Sequence, residues 1–180
     1  NLNDSGSGSL RDAVSQPNRF VGVDVGGVID ITGKSITIAS NITIAGQTAP
    51  GEGITIYGGR VIASKAKNVI MRYVRMRGGK SINSSKCTLT LDECQNFIMD
   101  HCSVSWTIDE AFSSRNAQNV TLQRTLISEA LNRAGHKNYV ESKGPDCEHG
   151  YAATIGGDCG SYHHNLLAHC EGRNWSLSEI

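Results

Sequence analysis

Short runs of β-branched and aliphatic residues recur along most of the chain. Four of them begin with the same residue and read Asn41–Ile44, Asn68–Met71, Asn96–Met99 and Asn119–Leu122. Their first residues lie 27, 28 and 23 positions apart. A repeat of this length is typical of a solenoid, in which each unit buries its apolar side against the next unit. Because the runs are strand-like, the pattern predicts a β-helix built of parallel strands.

The asparagine at the head of each repeat has a physical reason. Asparagine tolerates left-handed backbone angles, and its amide can bond to neighbouring groups. We therefore predict a ladder of asparagine side chains that hydrogen-bond from one repeat to the next. The alternative is that these are ordinary turn asparagines with no contact between repeats.

A helix is predicted only near the start of the chain, over Ser9–Ser15. Ser9 can cap this helix, and Asp12 lies in its first turn, where an acidic residue is favourable. Leu10, Ala13 and Val14 form one apolar face at helical spacing. Since a solenoid needs its open end covered, this short segment is predicted to be an N-terminal capping helix.

Length and charge narrow the class of protein. The chain has 180 residues, which is enough for one domain with a substantial core. Lys plus Arg and Asp plus Glu both number 17, so the net charge is zero and no nucleic-acid partner is expected. No apolar run approaches the roughly 20 residues of a membrane span, so no membrane partner is expected either.

Six cysteines lie at positions 87, 94, 102, 147, 159 and 170. None of their spacings, alone or with histidine, is typical of a zinc site. Cys147–Cys159 is the first candidate for a disulfide because both residues lie in loop-like sequence. Cys94 and Cys102 flank one strand and fit buried thiols equally well.

Three motifs together resemble the pectate lyase superfamily. They are Ile44–Gly51 (IAGQTAPG), Asp100–Trp106 (DHCSVSW) and Tyr162–Asn165 (YHHN), the last followed by Arg173. More narrowly, they resemble the polysaccharide lyase family 1 proteins of bacteria and fungi. The resemblance runs over nearly the whole chain.

This resemblance implies a fold, a reaction and a location. The family fold is a single-stranded right-handed parallel β-helix, which agrees with the repeat and makes the chain all-β. The family cleaves polygalacturonate, an acidic polysaccharide, by β-elimination, usually with calcium, and a secreted protein is expected. Family members continue for several repeats beyond Arg173, so residues 1–180 are expected to be one β-helix domain, the N-terminal part of a longer lyase domain.

The resemblance also suggests catalytic residues. Arg173 stands at the family spacing for the catalytic base, although it could instead be a surface arginine paired with Glu171 or Glu179. Lys143 is the best match to the family's substrate-binding lysine in the active site, and Lys137 is its rival. The second substrate-binding arginine of the family has no counterpart in this sequence.

Further substrate contacts are expected from aromatic and histidine side chains. His149 could contact the sugar or be a plain loop histidine. His163 and His164 should point to opposite faces of their strand, so that one is buried and His164 faces the cleft. Trp106 could stack on a sugar ring or pack at a corner.

Asp109 and Glu110 lie where the family's acids coordinate calcium. A second acid is expected one repeat earlier, near Cys87, but no acidic residue is present there. Adjacent strand residues point to opposite faces, so this pair should be a poor acid–base couple, which argues against a hydrolase with paired carboxylates. The neighbouring Asp100 and His101 are expected to form a structural hydrogen bond.

Two other functions remain open on the sequence. The missing calcium acid and the missing second arginine would suit a non-catalytic β-helix that binds carbohydrate or mediates adhesion. A calcium-independent pectin lyase is the other alternative. Its cleft should be rich in aromatic residues, and Phe, Trp and Tyr make up only 6% of this chain.

Overall fold

The computed structural model describes residues 1–82, 86–137, 140, 144 and 148–178. The fold is all-β, with a helix α1 near the start. The elements are α1 Leu10–Val14, β1 Arg19–Gly22, β2 Gly27–Asp30, β3 Ser35–Thr37, β4 Ile42–Ala45, β5 Ile54–Tyr57, β6 Arg60–Ile62, β7 Lys67–Arg72, β8 Val74–Arg77, β9 Leu89–Thr90, β10 Gln95–Asp100, β11 Ser103–Ser105, β12 Glu110–Gln123, β13 Leu126–Ser128, β14 Tyr151–Asp158, β15 Ser161–His163, β16 Leu166–Ala168 and β17 Ser176–Leu177, with 3-10 turns at Gly46–Thr48 and Lys80–Ile82.

Every described strand pairing is parallel, and the strands group into three faces that the chain visits in turn. The first face consists of β1, β4, β7, β10, the second half of β12 and β15. The second face consists of β2, β5, β8, β11, β13 and β16. The third consists of β3, β6, β9, the first half of β12, β14 and β17. Because β12 runs through both, the first and third faces join into one curled sheet of 11 strands.

The core lies between the faces and is built of apolar columns in register. On the first face, Ile42, Val69, Phe97 and Val120 pair successively from repeat to repeat. Each of these side chains is at most 2% exposed. Full burial of such a side chain contributes about 1.5–3 kcal/mol. The apolar residues of the sequence repeat therefore form the core of the fold, as predicted.

The asparagine ladder is present. The amide of Asn68 donates to Asn41 at 2.8 Å, that of Asn96 donates to Asn68 at 2.7 Å, and that of Asn119 donates to Asn96 at 2.8 Å. All four residues have a φ between 55° and 58°, which is the left-handed conformation that asparagine tolerates. Asn18, which the sequence reasoning did not include, adds a further step by accepting from Asn41 at 2.8 Å.

The predicted helix is short but capped as expected. Ser9 Oγ accepts a hydrogen bond from the backbone N–H of Asp12 at 3.2 Å. Leu10 and Val14 are buried in the main hydrophobic core. The helix contacts β1 and β3, which are the two terminal strands of the long strand path.

Longer connections lead from the second face to the third. They span 78–88, 129–150 and 169–175. A shorter connection, 106–109, joins the same two faces in the repeat that lies between 78–88 and 129–150. Most of the site residues expected from the sequence lie in these connections or at the strand starts that follow. This edge of the third face is therefore where a site can assemble.

Two further features concern cysteines and membranes. Cys87, Cys94, Cys102, Cys159 and Cys170 carry free thiols, while Cys147, the other half of the expected disulfide, lies outside the described residues. Among the described residues, no helix is both long enough and apolar enough to cross a membrane.

Candidate functional site

The site is centred on Glu110, the first residue of β12. Its neighbour one repeat earlier is Cys87, since Thr88 donates its backbone N–H to the carbonyl of Glu110. One repeat later Glu110 pairs with Tyr151, which in turn bridges to Gly172 next to Arg173. Stacking of successive repeats therefore brings together residues that are far apart in sequence.

The carboxylate of Glu110 is 1% exposed and fully engaged. Thr154 Oγ1 donates to its Oε1 at 2.8 Å, Arg115 Nη2 lies 3.3 Å from the same atom, and Arg173 Nη1 also contacts it. The thiol of Cys87 donates to Oε2 at 3.3 Å. A buried carboxylate needs such partners, because an unpaired charge would be very costly to bury.

Arg173 connects this buried acid with the surface. Its side chain is 32% exposed, and its guanidinium lies 4.2 Å from the centre of the Tyr151 ring. The sequence alternative of a surface pair with Glu171 is wrong, because the partner is Glu110. Glu179, the other partner considered, lies outside the described residues.

Asp109 contacts a different set of residues from those around Glu110. Its Oδ1 lies 2.9 Å from His149 Nε2, and its Oδ2 lies 3.4 Å from His136 Nε2. The two imidazole rings are 3.9 Å apart between centres, and His149 packs edge-on against Tyr151 at 4.5 Å. Asp109, His136 and His149 are all less than 10% exposed.

The two carboxyl groups differ in acidity. Burial, followed by hydrogen bonding to Glu110 and its charge, raises the pKa of Asp109 to about 7. Burial acts in the same direction on Glu110, but hydrogen bonds from Asp109 and Thr154 and the charge of Arg173 outweigh it and lower its pKa to about 2. The pair therefore ionises at Glu110 first, and Asp109 keeps its proton to near neutral pH.

The expectation that Asp109 and Glu110 would point apart is wrong. Asp109 precedes β12 rather than lying in it, so strand alternation does not apply. Thr107 Oγ1 donates to the carbonyl of Glu110 at 2.9 Å and accepts from the N–H of Asp109 at 3.4 Å, which folds the segment into a turn. The two carboxylates and the Cys87 thiol consequently lie within 4.8 Å of one another.

The described residues around this carboxylate pair fit calcium poorly. Calcium takes six to eight oxygen ligands. Here Glu110 is already paired with the cationic Arg115 and Arg173, and Asp109 contacts two imidazoles. The position one repeat earlier holds a thiol instead of an acid, as expected from the sequence.

The remaining substrate-contact candidates are more dispersed. Trp106 is 41% exposed at the end of β11, with the Arg77 guanidinium 5.9 Å from its ring. Lys137 is exposed in the connection that carries His136, whereas Lys143 lies outside the described residues.

His164 is not brought to this site. It follows β15 at the corner between the first and second faces, whereas Arg173 lies in the connection from the second face to the third. Neither His163 nor His164 is buried, contrary to expectation, because β15 ends at His163 and His164 takes a φ of 57°. Their Nδ1 atoms lie 2.6 Å apart.

The Asp100–His101 pair has the structural role expected of it. His101 Nδ1 lies 2.8 Å from Asp100 Oδ1, and the His101 ring stacks on Tyr73 at 4.8 Å. Arg72 and Arg124 flank the same carboxylate at 3.5 and 3.7 Å. This corner is separate from the Glu110 site.

Several residues of the site were not identified from the sequence. They are His136, Arg115, Tyr151 and Thr154. Tyr151 and Thr154 could have been found by carrying the repeat register forward from β12 to β14. His136 lies in the irregular 129–150 connection, where no periodic pattern indicates which side chains turn inward.

No protein-family model matches the chain. A protein of Aspergillus flavus named probable pectate lyase C is 52% identical over 132 residues, which are 73% of this chain and 31% of that protein. The protein of the same name from Aspergillus terreus is 52% identical over 132 residues, which are 73% of this chain and 31% of that protein. The one from Neosartorya fischeri is 46% identical over 145 residues, which are 80% of this chain and 34% of that protein.

The chain thus spans about a third of the length of these relatives. Their identity of 46–52% extends over 73–80% of the chain's own length. Over that matched segment, the chain belongs to the pectate lyase superfamily.

Proposed function

We propose that the three stacked faces form a right-handed parallel β-helix, closed at its N-terminal end by α1. The parallel pairing of every described strand with one a repeat away supports this, and parallel crossovers are right-handed in nearly all proteins. We further propose that residues 1–180 belong to one domain.

The proposed activity is cleavage of polygalacturonate by β-elimination, which makes the chain part of a polysaccharide lyase. The observation that carries this proposal is the match to relatives named probable pectate lyase C. The site adds support, because it sets an arginine at the edge of a cluster with several positive groups. A secreted protein acting on an acidic polysaccharide, without nucleic-acid or membrane partners, fits this activity.

In the proposed reaction, Arg173 in its neutral guanidine form removes the proton alpha to the uronate carboxylate and becomes a guanidinium. The electron pair then moves to expel the glycosidic oxygen, leaving an unsaturated sugar end. Glu110 and the Tyr151 ring hold the guanidinium in place. The reference pKa of a guanidinium is above 12, so this role implies an alkaline optimum.

Positive charge must also stabilise the enolate-like state that forms on the uronate. Arg115, whose side chain is 47% exposed beside Glu110, is suited to this and would substitute for the second arginine that the sequence lacks. Lys137 and Lys143 are proposed to bind sugar hydroxyls or carboxylates, whereas His149, which the sequence also suggested for this role, is buried against Asp109. Trp106 and His164 would serve more distant sugar units.

Calcium is the ion that the family resemblance implies, with Asp109 and Glu110 as its ligands. Given the partners these carboxylates already have, most of the calcium ligands would have to come from the substrate. The roles proposed above for the arginines do not depend on calcium.

The second candidate is a non-catalytic β-helix that binds acidic polysaccharide. It is favoured by one observation, namely that Arg173 pairs with a buried carboxylate, which stabilises the protonated guanidinium and so disfavours the neutral form that a base requires. Such a protein would bind oligogalacturonate without forming unsaturated products.

The test is an ultraviolet assay for unsaturated products. The chain is mixed with polygalacturonate at alkaline pH, once with added calcium and once with a chelator. Growth of absorbance in either mixture supports the lyase, and the comparison reports calcium dependence. Oligogalacturonate binding without any absorbance change in both mixtures would favour the non-catalytic alternative.

A further inference from the structure

We propose that Asp109, His136 and His149 form a binding site for a divalent transition metal of the Zn²⁺ type. Their potential ligand atoms all lie within 4.8 Å of one another. The proposal does not depend on the elimination activity. It concerns the same Asp109 that the sequence suggested for calcium, and it assigns that residue to a different class of ion.

The donor set decides the class of metal. Two imidazole nitrogens and one carboxylate are typical ligands of zinc and related metals, whereas calcium and magnesium prefer oxygen donors alone. The described residues supply three ligands, and a tetrahedral site would be completed by one further donor.

The distances between the donor atoms suit a small tetrahedral ion. Metal–ligand bonds of 2.0–2.1 Å imply ligand–ligand separations of about 3.3 Å in a tetrahedron. The separations from the Asp109 carboxylate are 3.4 Å to His136 Nε2 and 2.9 Å to His149 Nε2. The two Nε2 atoms face different oxygens of this carboxylate, His136 facing Oδ2 and His149 facing Oδ1, so the three side chains surround one small space.

The ligands are held by a network that joins the two connections carrying them. Leu131 N–H donates to the carbonyl of Thr107 at 2.7 Å, and His149 N–H donates to the carbonyl of Asn132 at 2.9 Å. Tyr151 N–H donates to the carbonyl of Asp109 at 3.3 Å.

A small apolar cluster beneath the connection supports the same arrangement. Ile108 and Ala134 are buried in it, and Leu131 packs against both. Ile108 precedes one ligand directly, and Ala134 lies two positions before another. Such supporting contacts preorganise a metal site.

The experiment uses the untagged chain, stripped with a chelator and titrated with Zn²⁺ by calorimetry. We expect one equivalent of Zn²⁺ to bind and to raise the unfolding temperature, because a ligand of the folded state stabilises it. Co²⁺ in place of Zn²⁺ should give the visible absorption bands of a four-coordinate site. Calcium in the same titration should bind more weakly than zinc.

Two variants and one matched control locate the site. His136→Gln and Asp109→Asn should weaken zinc binding by more than the roughly 10–100-fold caused by losing an outer partner of a metal ligand. His101→Gln is the control, since His101 also contacts a buried aspartate, at 2.8 Å, but without a second histidine. It should bind zinc like the parent chain.

Circular dichroism of each stripped variant shows that it is folded, and His136→Gln serves if Asp109→Asn does not fold. The proposal is overturned if the parent chain binds no zinc. It is also overturned if folded His136→Gln binds zinc as the parent does, or if calcium binds more tightly than zinc. If the parent chain binds no zinc, Asp109 is a hydrogen-bond partner of His149 and a close neighbour of His136 without a metal between them.

Discussion

At the residue scale, Asp109 and Glu110 show how two neighbouring carboxyl groups acquire different roles. Glu110 faces Arg115, Arg173 and Thr154, so its negative charge is stabilised. Burial, together with that neighbouring charge, raises the pKa of Asp109 to about 7. The difference comes from the turn before β12, which directs the two side chains to different partners although they are adjacent in sequence.

This difference predicts a pH dependence of stability in the metal-free chain. Burial raises the pKa of Asp109 from 3.8 to about 7, so its protonated form contributes stability that is lost as the pH rises through the folded-state pKa. Relative to Asp109→Asn, which stays neutral, the free energy of unfolding should fall between about pH 4.5 and 7. Above 4.5, Glu110 is ionised in both the folded and the unfolded states.

Urea unfolding at a series of pH values, with a chelator present, measures this difference. Asp24→Asn, at an exposed acid outside the site, is the control and should follow the parent chain. A constant difference between the parent and Asp109→Asn across this range would contradict the assignment of the proton to Asp109.

At the element scale, the asparagine ladder is the clearest link between sequence and structure. Each ladder residue begins a repeat of the first face in a left-handed conformation and bonds to the same residue one repeat away. The amide therefore stabilises a backbone shape that most other residues avoid and also fixes the register of successive strands.

Substitution of Asn96 should separate the contribution of the amide hydrogen bonds from the cost of the left-handed backbone. Asn96→Ala loses hydrogen bonds with both Asn68 and Asn119, each worth about 0.5–1.5 kcal/mol, and adds the cost of about 1–2 kcal/mol for a left-handed alanine. Asn96→Gly loses the same hydrogen bonds but adopts the positive φ freely. We expect the alanine variant to be less stable than the glycine variant by about 1 kcal/mol.

Chemical unfolding of the two variants and the parent chain gives the order of stability. The predicted order, from most to least stable, is the parent chain, Asn96→Gly and Asn96→Ala. An alanine variant as stable as the glycine variant would show that the left-handed backbone has little cost at this position.

At the scale of the whole molecule, the sequence predicted the stacked strands but only part of the site. Strand positions follow from local periodicity in the sequence. The buried residues at the same position of each repeat lie in register in the core, as Val69 and Phe97 do. Arg173 was identified through a motif, but its partner Glu110 lies 63 positions away and meets it only through stacking. His136 could not be found because an irregular connection has no periodicity from which to infer which side chains turn inward.

The same stacking explains why the site lies at one edge of the third face. Three of the connections from the second face are long there, so they can carry side chains over the starts of the third-face strands without disturbing the core. Cys87, Glu110 and Tyr151 occupy equivalent positions in successive repeats. A site of this kind can vary in chemistry while the strands beneath it remain unchanged.

The central claim is that elimination takes place at Arg173, and the most direct measurement compares two arginine variants in the polygalacturonate assay. Arg173→Gln removes the proposed base, while Arg124→Gln removes an arginine that likewise flanks a buried acid, Asp100, at a different corner. Since a general base contributes about 10²–10⁴-fold, folded Arg173→Gln should lose at least about 100-fold in rate, and Arg124→Gln should retain the parent rate. Retention of the parent rate by Arg173→Gln would contradict the account.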